Sequence, residues 1–297
     1  MGCGDIGKRI IKNSPTFMRF ICINSKHNYS DNHLQTQSQS PSPSNTMQIY
    51  INLDEDNSVL KSQLLKLKPF ITKTVYLIPP QNSTNIDNRI KSMAYLLLGH
   101  SHKLADIAYV STTGVYGNHN GNFVDENTLT NPKTARAKRR VYAENFMRKL
   151  CNNPYRNKNL SILRVPGIYA QNRLPLAKLQ TPTPVLNQDE DVYTNHIHAD
   201  DLARIIYLGL MSKKSKGGRV INMVDDSDIK AGDWLEYVAT KHNLIMPIRM
   251  NRETLIQNID EARLSFLSES RRIKNVRLKK EWKIKLKYPN VFVGLED

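Results

Sequence analysis

The chain has 297 residues, enough to bury one large domain or a main domain with a smaller companion. No run approaches the roughly 20 apolar residues that a membrane helix needs, and Gly4-Asp5 interrupts any secretory signal at the N-terminus. The three cysteines are widely spaced and match neither a disulfide framework nor a zinc site. We therefore predict a cytoplasmic protein with no membrane partner.

The formal net charge is +16 and the pI is near 9.7, which favours anionic ligands. Basic residues cluster only at Lys133–Arg140 and Arg271–Lys287. Neither cluster is interleaved with the aromatic residues on which single-stranded nucleic acid stacks. We therefore expect a nucleotide-sized anion rather than nucleic acid.

The N-terminal run Gly2-Cys-Gly4-Asp-Ile-Gly7 matches the G-x-G-x-x-G fingerprint of dinucleotide sites. A helical stretch, Lys8–Lys12, and a strand-like run, Phe17–Ile23, follow it. In this motif the glycines allow a tight turn and a close backbone approach, and a pyrophosphate binds at the helix N-terminus. A glycine-rich N-terminus without a ligand remains the alternative.

The fingerprint normally follows a buried strand, yet only Met1 precedes it. Either the start site is several residues too late, or the sheet lacks its central first strand. A missing strand would leave its neighbours with unpaired backbone groups, which is costly. We therefore expect an interrupted sheet or an upstream segment.

The end of the next strand, Asn24-Ser25-Lys26, should meet the ribose of the cofactor. It contains no acid to bond the 2′-hydroxyl, and Lys26 suits the additional phosphate of NADP. The cofactor expected is NAD(P), with a lean to NADP. Residues His27 to Met47 are rich in Asn, Ser, Gln and Pro, and we predict a disordered surface loop there.

Strand-like and helical runs then alternate, which is typical of a doubly wound parallel sheet. The predicted elements are strand Gln48–Leu53, helix Ser58–Leu67, strand Thr74–Ile78 closed by Pro79-Pro80, helix Ile86–Leu98 and strand Ile107–Ser111. After the central stretch come strands Leu160–Val165 and Arg219–Val224 and helix Asp233–His242. The fold class predicted is α/β, a Rossmann-type doubly wound parallel sheet with a smaller C-terminal substrate region.

The central stretch combines the run Ser111-Thr-Thr-Gly-Val-Tyr-Gly117 with an acidic pair, Asp125-Glu126, and a basic helix, Ala135–Glu144. This combination resembles the extended short-chain dehydrogenase/reductases, the epimerases and dehydratases of sugar nucleotides. The resemblance implies that the hydroxyl of Thr112, flanked by Ser111, bonds the substrate oxygen. It also implies that the cofactor passes the strand end at Pro79.

The resemblance further implies a Tyr-x-x-x-Lys pair on the helix, where Tyr is the acid/base and Lys lowers its pKa. Counting back from Ala143-Glu144 places Arg140 at the Lys position and Arg136 at the Tyr position. A guanidinium stays protonated and cannot replace the Tyr. The pattern thus resembles the atypical members that lack the pair, and the general acid/base is unassigned. Arg140 is a candidate for binding a cofactor ribose or phosphate, and Arg136 is a candidate for binding the substrate. An equally good interpretation is that Lys133–Arg140 forms a solvent-exposed basic face of the helix.

The run Arg164-Val-Pro-Gly-Ile-Tyr169 resembles a turn of the same family, which lies over the nicotinamide. It implies a cofactor contact at Pro166, and it makes Arg173 a candidate for a substrate phosphate or carboxylate. An exposed loop arginine is the competing interpretation.

The run Asn195-His-Ile-His-Ala-Asp-Asp201 suggests a metal site, because alternation places both histidines on one strand face. Family members carry a similar run in which an aspartate caps the next helix, here Leu202–Leu210. We predict the cap and no metal, and we keep His198 as a substrate-binding candidate.

The sequence therefore predicts a Rossmann-type region, 1–165, and a smaller substrate-covering region, 166–297, interleaved with it. The expected function is an NAD(P)-dependent oxidoreductase or epimerase acting on a nucleotide sugar; the alternative is an NAD(P)-binding sensor or scaffold without turnover. A homodimer is compatible with either. The predicted catalytic residues are Thr112 and Ser111, and the predicted cofactor contacts are Gly2, Gly4, Asp5, Ile6, Gly7, Asn24, Ser25, Pro79, Arg140 and Pro166.

Overall fold

A computed structural model describes residues 3–24, 46–50, 62, 65–81, 86–98, 105–152, 158–211 and 218–296. The chain packs into two compact units whose segments alternate along it. The first unit is drawn from 1–111, 138–163 and 202–220, and the second from 112–137, 164–201 and 221–297. The sequence-based division at residue 165 stays a prediction about domains.

The helices and strands of the described residues have the following bounds. The helices are α1 (Asp5–Lys12), α2 (Asn88–Leu98), α3 (Ala135–Cys151), α4 (Ala199–Met211), α5 (Ala231–Lys241), α6 (Arg252–Ile256), α7 (Glu261–Leu267), α8 (Val276–Glu281) and α9 (Val291–Gly294). The strands are β1 (Phe20–Asn24), β2 (Thr46–Tyr50), β3 (Lys73–Tyr76), β4 (Asp106–Thr112), β5 (Phe123–Val124), β6 (Asn159–Val165), β7 (Gly167–Tyr169), β8 (Pro184–Leu186), β9 (Tyr193–Thr194), β10 (His196–His198), β11 (Arg219–Asn222), β12 (Ile229–Lys230), β13 (Ile248–Met250) and β14 (Arg272–Ile273). Within the described ranges, no helix combines the length and the apolarity needed to span a bilayer.

The main sheet has four strands in the order β11-β6-β4-β3, and β3 runs parallel to β4. A second sheet consists of the parallel pair β1 and β2. In the part of the chain that the structure describes, no ladder joins β1 to β3, so the two pairs of strands belong to separate sheets. The α/β class with parallel strands is confirmed.

Strand β2 begins earlier in the chain than the sequence predicts. Thr46 and Met47 were expected in the disordered loop, but they begin β2, where Met47 pairs with Ile21. Backbone pairing with Phe20 and Ile21 of β1 extends the strand to these two residues, although the run before them is polar. The remainder of that loop, 27–45, and most of the predicted helix Ser58–Leu67 lie outside the described residues.

The core of the first unit draws on both sheets. Ile23 and Ile49 from the β1–β2 pair share one apolar cluster with Tyr76 and Ile107 from the main sheet and with Met147 of α3. An apolar stripe of α3 enters this core: Ala143 and Met147 are buried, and Phe146 and Leu150 pack against the same cluster. α3 extends beyond the predicted Glu144 to Cys151 because this stripe continues.

One buried hydrogen bond fixes α3 to strand β4. Glu144 is buried, and its Oε1 accepts a hydrogen bond of 2.6 Å from the Ser111 hydroxyl at the end of β4. Bonds to an ionised carboxylate are short and are stronger than neutral ones. The Ser111 hydroxyl is therefore engaged in structure.

The second unit is built from short strand pairs around an aromatic and aliphatic core. β7–β10, β8–β13 and β5–β14 are parallel, and β9–β12 is antiparallel. The core includes Tyr169, Leu179, Trp234, Val238 and Val291.

The predicted cap of the helix after β10 is wrong in position. α4 begins at Ala199, so Asp200 and Asp201 lie in its first turn. His198 acts at the helix start instead, because its Nδ1 accepts from the backbone N of Asp200 at 3.2 Å. Asp201 is buried and accepts from the backbone N of Lys287 at 3.1 Å and of Tyr288 at 2.8 Å. The carboxylate thus anchors the C-terminal segment.

Replacing Asp201 by Asn should lower the free energy of unfolding by about 2 kcal/mol. The amide oxygen satisfies one of the two backbone donors, and the amide NH₂ faces the other. Urea unfolding followed by circular dichroism measures the difference. Asp200→Asn is the matched control on the same turn, because that side chain is 44% exposed. Equal effects of the two substitutions would contradict an anchoring role for Asp201.

Candidate functional site

In the first unit, a single guanidinium lies at the carboxyl ends of two neighbouring strands. Nη1 of Arg140 is 3.0 Å from the carbonyl oxygen of Val110, 3.2 Å from the Tyr109 hydroxyl and 3.5 Å from the carbonyl oxygen of Ile78. Val110 belongs to β4, and Ile78 follows β3. Ligands of open α/β sheets bind outside the carboxyl ends of the strands. Arg140 therefore places a permanent positive charge where an anionic ligand would be held.

Buried polar groups accompany this guanidinium. Asp87 is fully buried, and its Oδ1 accepts from the backbone N of Ile90 at 3.1 Å. Asp87 Oδ2 and the Tyr76 hydroxyl have no hydrogen-bond partner among the described residues. Burial raises the pKa of Asp87, and the charge of Arg140 opposes that shift. Burial also raises the pKa of Tyr109 to about 12, so both tyrosines are neutral hydrogen-bonding groups here.

The described part of the glycine loop leaves the start of α1 open to solvent. Gly4 is the N-cap of α1, and no side chain caps this helix end. A Cβ atom added at Gly4 would meet no atom within 4 Å, so the space beside the loop is open. Asp5 is paired with Arg9 at 3.0 Å, which offsets its negative charge at this end of the helix. The first N–H groups of α1 thus offer a positive, accessible surface.

The remaining predicted cofactor residues differ in how they are exposed and in how much of them the structure describes. Ile6 and Gly7 are buried in α1. Asn24 ends β1, but only its backbone is described, and Gly2 and Ser25 lie outside the described residues. Pro79 is exposed, and its carbonyl accepts from Arg89 Nη1 at 3.1 Å. Pro166 is half-buried between β6 and β7.

The two predicted catalytic hydroxyls differ in what they bond. Thr112 is the N-cap of the 3-10 turn Thr113–Tyr116, and its Oγ1 accepts from the backbone N of Gly114 at 3.3 Å. Its own proton has no acceptor within the described part of the chain. Ser111, in contrast, donates to Glu144. Thr112 is therefore the hydroxyl that retains a donor for a ligand.

The turn after Thr112 is held by a buried network in the second unit. The Tyr116 hydroxyl donates to Asn222 Oδ1 at 2.8 Å, and Arg164 lies 4.7 Å over the Tyr116 ring. The backbone N of Asn222 donates to Glu126 Oε1 at 2.9 Å, and burial raises the pKa of Glu126. Tyr116 is thus structural. The roles of Asn222 and Arg164 were missed, because no local pattern reports a partner so distant in sequence.

The predicted substrate arginines are at the surface of the second unit. Arg136 is exposed and lies 4.3 Å over the ring of Phe266. Arg173 is exposed in the turn Gln171–Arg173, and its Nε is 3.5 Å from the carbonyl oxygen of Ile168. No hydrogen bond among the described residues joins the two. Their side chains are accessible to a ligand, but their contacts do not define a pocket.

The two histidines of β10 are buried among aromatic rings. The ring centroid of His196 is 4.8 Å from that of Trp234, and the centroid of His198 is 3.8 Å from that of Tyr288. Burial lowers the pKa of His196 to about 4, so its imidazole is neutral at physiological pH. Among the described residues, no group of three or more His, Cys, Asp or Glu side chains is arranged to hold a metal.

A buried carboxyl, which sequence reasoning missed, lies beside this cluster. Asp225 is 4% exposed, and burial raises its pKa to about 7. Its Oδ1 accepts from the backbone N of Ser227 at 2.9 Å. Its Oδ2 has no hydrogen-bond partner among the described residues, and the nearby Tyr169 donates its proton to the carbonyl oxygen of Asn290 at 3.0 Å.

No family model and no curated protein matches this sequence. Solved structures do match. A functionally unknown conserved protein from Silicibacter pomeroyi DSS is 26% identical, with a TM-score of 0.79 over 99% of this chain and 95% of that one. The dTDP-glucose 4,6-dehydratase of Bacillus anthracis, in complex with NAD, is 18% identical, with a TM-score of 0.73 over 99% and 92%.

The UDP-glucuronic acid 4-epimerase of Bacillus cereus, also in complex with NAD, is 15% identical, with a TM-score of 0.69 over 96% of this chain and 92% of that one. Both bacterial enzymes are too distant in sequence to transfer a function. They establish that this chain has the Rossmann-type fold of these sugar-nucleotide enzymes.

Replacing Asp225 by Asn should stabilise the protein increasingly as pH rises. The folded-state pKa of Asp225 is about 7 against an ordinary 3.8. The folded state therefore holds this proton more tightly than the unfolded state, and wild-type stability falls between these two values. At pH 8 the variant should gain about 2–4 kcal/mol over wild type, and at pH 4 the gain should vanish.

Urea unfolding of both proteins at several pH values provides the measurement. Asp228→Asn is the control, since the Asp228 side chain is 55% exposed and solvent hydrates its carboxylate. The lowered pKa of His196 has the opposite effect on the pH dependence, because it destabilises the folded protein as the pH falls below 6.5. This effect is the same in the variant and in wild type, so it cancels when the two are compared. A pH-independent difference would contradict the assignment for Asp225.

Proposed function

We propose that the protein binds a nicotinamide dinucleotide and acts as an NAD(P)-dependent oxidoreductase or epimerase on a nucleotide sugar. The observation that carries the proposal is the Arg140 guanidinium at the carboxyl ends of β3 and β4. It lies in the same unit as the uncapped N-terminus of α1. The fold shared with NAD-bound sugar-nucleotide enzymes supports the substrate class.

In this proposal the pyrophosphate lies on the N–H groups of the glycine loop, along Gly2, Gly4, Asp5, Ile6 and Gly7. The adenosine ribose meets the end of β1 at Asn24 and Ser25, where Lys26 favours NADP. Arg140 would hold the nicotinamide ribose or a phosphate, and Pro79 and Pro166 are the other proposed cofactor contacts. The bound nucleotide supplies the hydride chemistry, and the protein supplies binding and orientation.

Thr112 donates its remaining proton to a substrate oxygen and so polarises the bond that reacts. Arg136 and Arg173 are the cations proposed for substrate phosphate or carboxylate, since a guanidinium matches both groups. We also place His198 at the substrate side, where its buried ring limits it to a positioning role. Arginine at the Tyr and Lys positions leaves the proton-transfer residue unassigned.

The second candidate function is a nucleotide-binding sensor or scaffold without turnover. It is favoured by the arginines at the two positions where Tyr and Lys would act, because neither guanidinium can exchange a proton at neutral pH. Both candidates require nucleotide binding, and only the first requires the Thr112 hydroxyl.

Replacing Gly4 by Ser should weaken dinucleotide binding at least tenfold while leaving thermal stability unchanged or raised. Serine is a favoured N-cap and satisfies an N–H group of α1. Its side chain enters open space, so the free protein tolerates it, but that space is where a pyrophosphate would approach. Titration with NADPH and NADH followed by nucleotide fluorescence, beside a thermal melt, gives both quantities. Unchanged affinity in a folded Gly4→Ser protein would rule out the glycine loop as the nucleotide site.

Replacing Thr112 by Val should abolish turnover, whereas Thr112→Ser should retain at least a tenth of it. Valine keeps the shape but removes the hydroxyl, and serine keeps the hydroxyl. The assay follows NAD(P)H absorbance and product chromatography over a panel of nucleotide sugars. Nucleotide binding by both variants is the control for folding. Full activity of Thr112→Val would contradict the catalytic role, and binding without turnover in wild type would favour the sensor.

A further inference from the structure

The second unit contains a cleft of about 420 Å³. Its walls come from the loop that follows the Thr113–Tyr116 turn, from the segment before β9 and from the end of α7. Among the described residues that line it, none is a residue proposed above for catalysis or for substrate binding. Small-molecule sites commonly have volumes of about 300–1,000 Å³. The cleft is therefore large enough for a ligand of its own.

Hydrogen bonds fix the loop that forms the first wall. Asn118 Oδ1 accepts from the backbone N of Asn120 at 3.0 Å and from the backbone N of Ser270 at 2.8 Å. The carbonyl oxygen of Ser270 in turn accepts from the backbone N of Gly121 at 3.0 Å. Asn120 and Gly121 have positive φ angles of 50° and 77°, which close the turn between these bonds. This wall is therefore formed without a ligand.

Arg252 joins the other two walls. Its Nη2 donates to the carbonyl oxygen of Glu190 at 2.9 Å, and its Nη1 donates to the carbonyl oxygen of Leu267 at 3.1 Å. The backbone N of Arg252 also donates to Glu190 Oε2 at 2.8 Å. The apolar lining residues Val192 and Leu267 belong to a buried cluster. A cleft that is already formed loses less conformational entropy when a ligand binds.

Several polar groups of the lining keep hydrogen-bonding capacity. Within the described part of the chain, the Asp189 carboxylate and the Tyr193 hydroxyl have no hydrogen-bond partner. Ser270 Oγ accepts from the backbone N of Tyr193 at 3.1 Å, but its own proton has no acceptor there. Asn120 Oδ1 accepts from Asn118 Nδ2 at 2.7 Å, which leaves the Asn120 NH₂ group to donate. The cleft thus offers acceptors and donors together.

The charge of the lining separates this cleft from an anion site. Its charged residues are three acids and two bases, namely Asp189, Glu190, Asp191, Lys230 and Arg252. This balance is negative in a chain whose formal net charge is +16, so a phosphate gains no net attraction here. A cationic amine only donates, and it would leave the Asn120 and Ser270 donors without acceptors. Hydroxyl groups both donate and accept, so they match the unused groups.

We propose that this cleft binds a neutral polyhydroxylated ligand the size of one hexose, and that Asp189 and Tyr193 are its principal hydrogen-bonding contacts. The Asp189 carboxylate accepts from ligand hydroxyls, and the Tyr193 hydroxyl both donates and accepts. Val192 and Leu267 supply a small apolar surface for the C–H groups of the sugar ring. The site goes beyond the proposed function and does not depend on nucleotide binding.

The test measures saturation-transfer NMR from the full chain to D-glucose, D-galactose and D-mannose. At least one of these hexoses should bind saturably in the millimolar range. Tyr193→Phe should weaken that binding about threefold, and Asp189→Ala should weaken it about tenfold, because a bond to a charged acceptor is the stronger. Absence of saturable transfer to all three hexoses would overturn the proposal.

Tyr193→Phe changes one hydroxyl and leaves the packing of the ring in place. Arg272 lies 4.7 Å and Lys230 5.9 Å from the ring centroid, and a Cβ atom added at Gly121 would lie 3.2 Å from the ring. A phenylalanine ring keeps these contacts, so the variant should fold as wild type does. A thermal melt of each variant checks this.

Two matched controls lie outside the cleft. Tyr237→Phe removes a hydroxyl that is 3.4 Å from the carbonyl oxygen of Phe292, and Asp200→Ala removes a side chain that is 44% exposed. Both should bind hexose as wild type does. Hexose binding that is equal in wild type, Tyr193→Phe and Asp189→Ala would place the sugar elsewhere and overturn the assignment.

Competition identifies the class of ligand. Inorganic phosphate and spermidine, as an anion and a cation, should leave the hexose signal unchanged. Displacement of the hexose by either ion would assign the cleft to a charged ligand and overturn the proposal.

NADPH titration keeps this inference separate from the proposed function. Tyr193→Phe should bind NADPH as wild type does, and an equal loss of NADPH and hexose affinity would overturn the separate site. Hexose binding by a protein that binds no dinucleotide would reject the proposed function and support the cleft.

Discussion

The Arg140 guanidinium is the interaction on which the first unit depends most directly. Parallel strands that end at one edge leave carbonyl groups without ladder partners, and Arg140 satisfies those of Val110 and Ile78 together. One helical turn further along α3, Glu144 accepts from Ser111. α3 is therefore fixed to β4 by the guanidinium of Arg140 and by the carboxylate of Glu144. Both side chains lie on one face of α3, so together they set the rotation of the helix about its axis.

As a result, the hydroxyl groups of the neighbouring residues Ser111 and Thr112 make different hydrogen bonds. Successive residues of a strand point to opposite faces, so Ser111 serves α3 while Thr112 does not. Thr112 keeps its proton because its oxygen is used only as the acceptor for Gly114. Of the two neighbouring hydroxyls, Thr112 therefore retains a donor, whereas that of Ser111 is used by Glu144.

The features that the sequence predicts depend on residues close together in the chain, whereas those that it does not predict depend on partners far apart in the chain. Alternating apolar runs predicted β4, β6 and α3 because each signal is local, and hydrophobic spacing reports burial directly. The position of Asp201 on the backbone of Lys287 and Tyr288 depends on a partner far along the chain. The same holds for Asn222 beneath Tyr116 and for the burial of Asp225. The start of α4 was placed too late because His198, an unusual cap, initiates it.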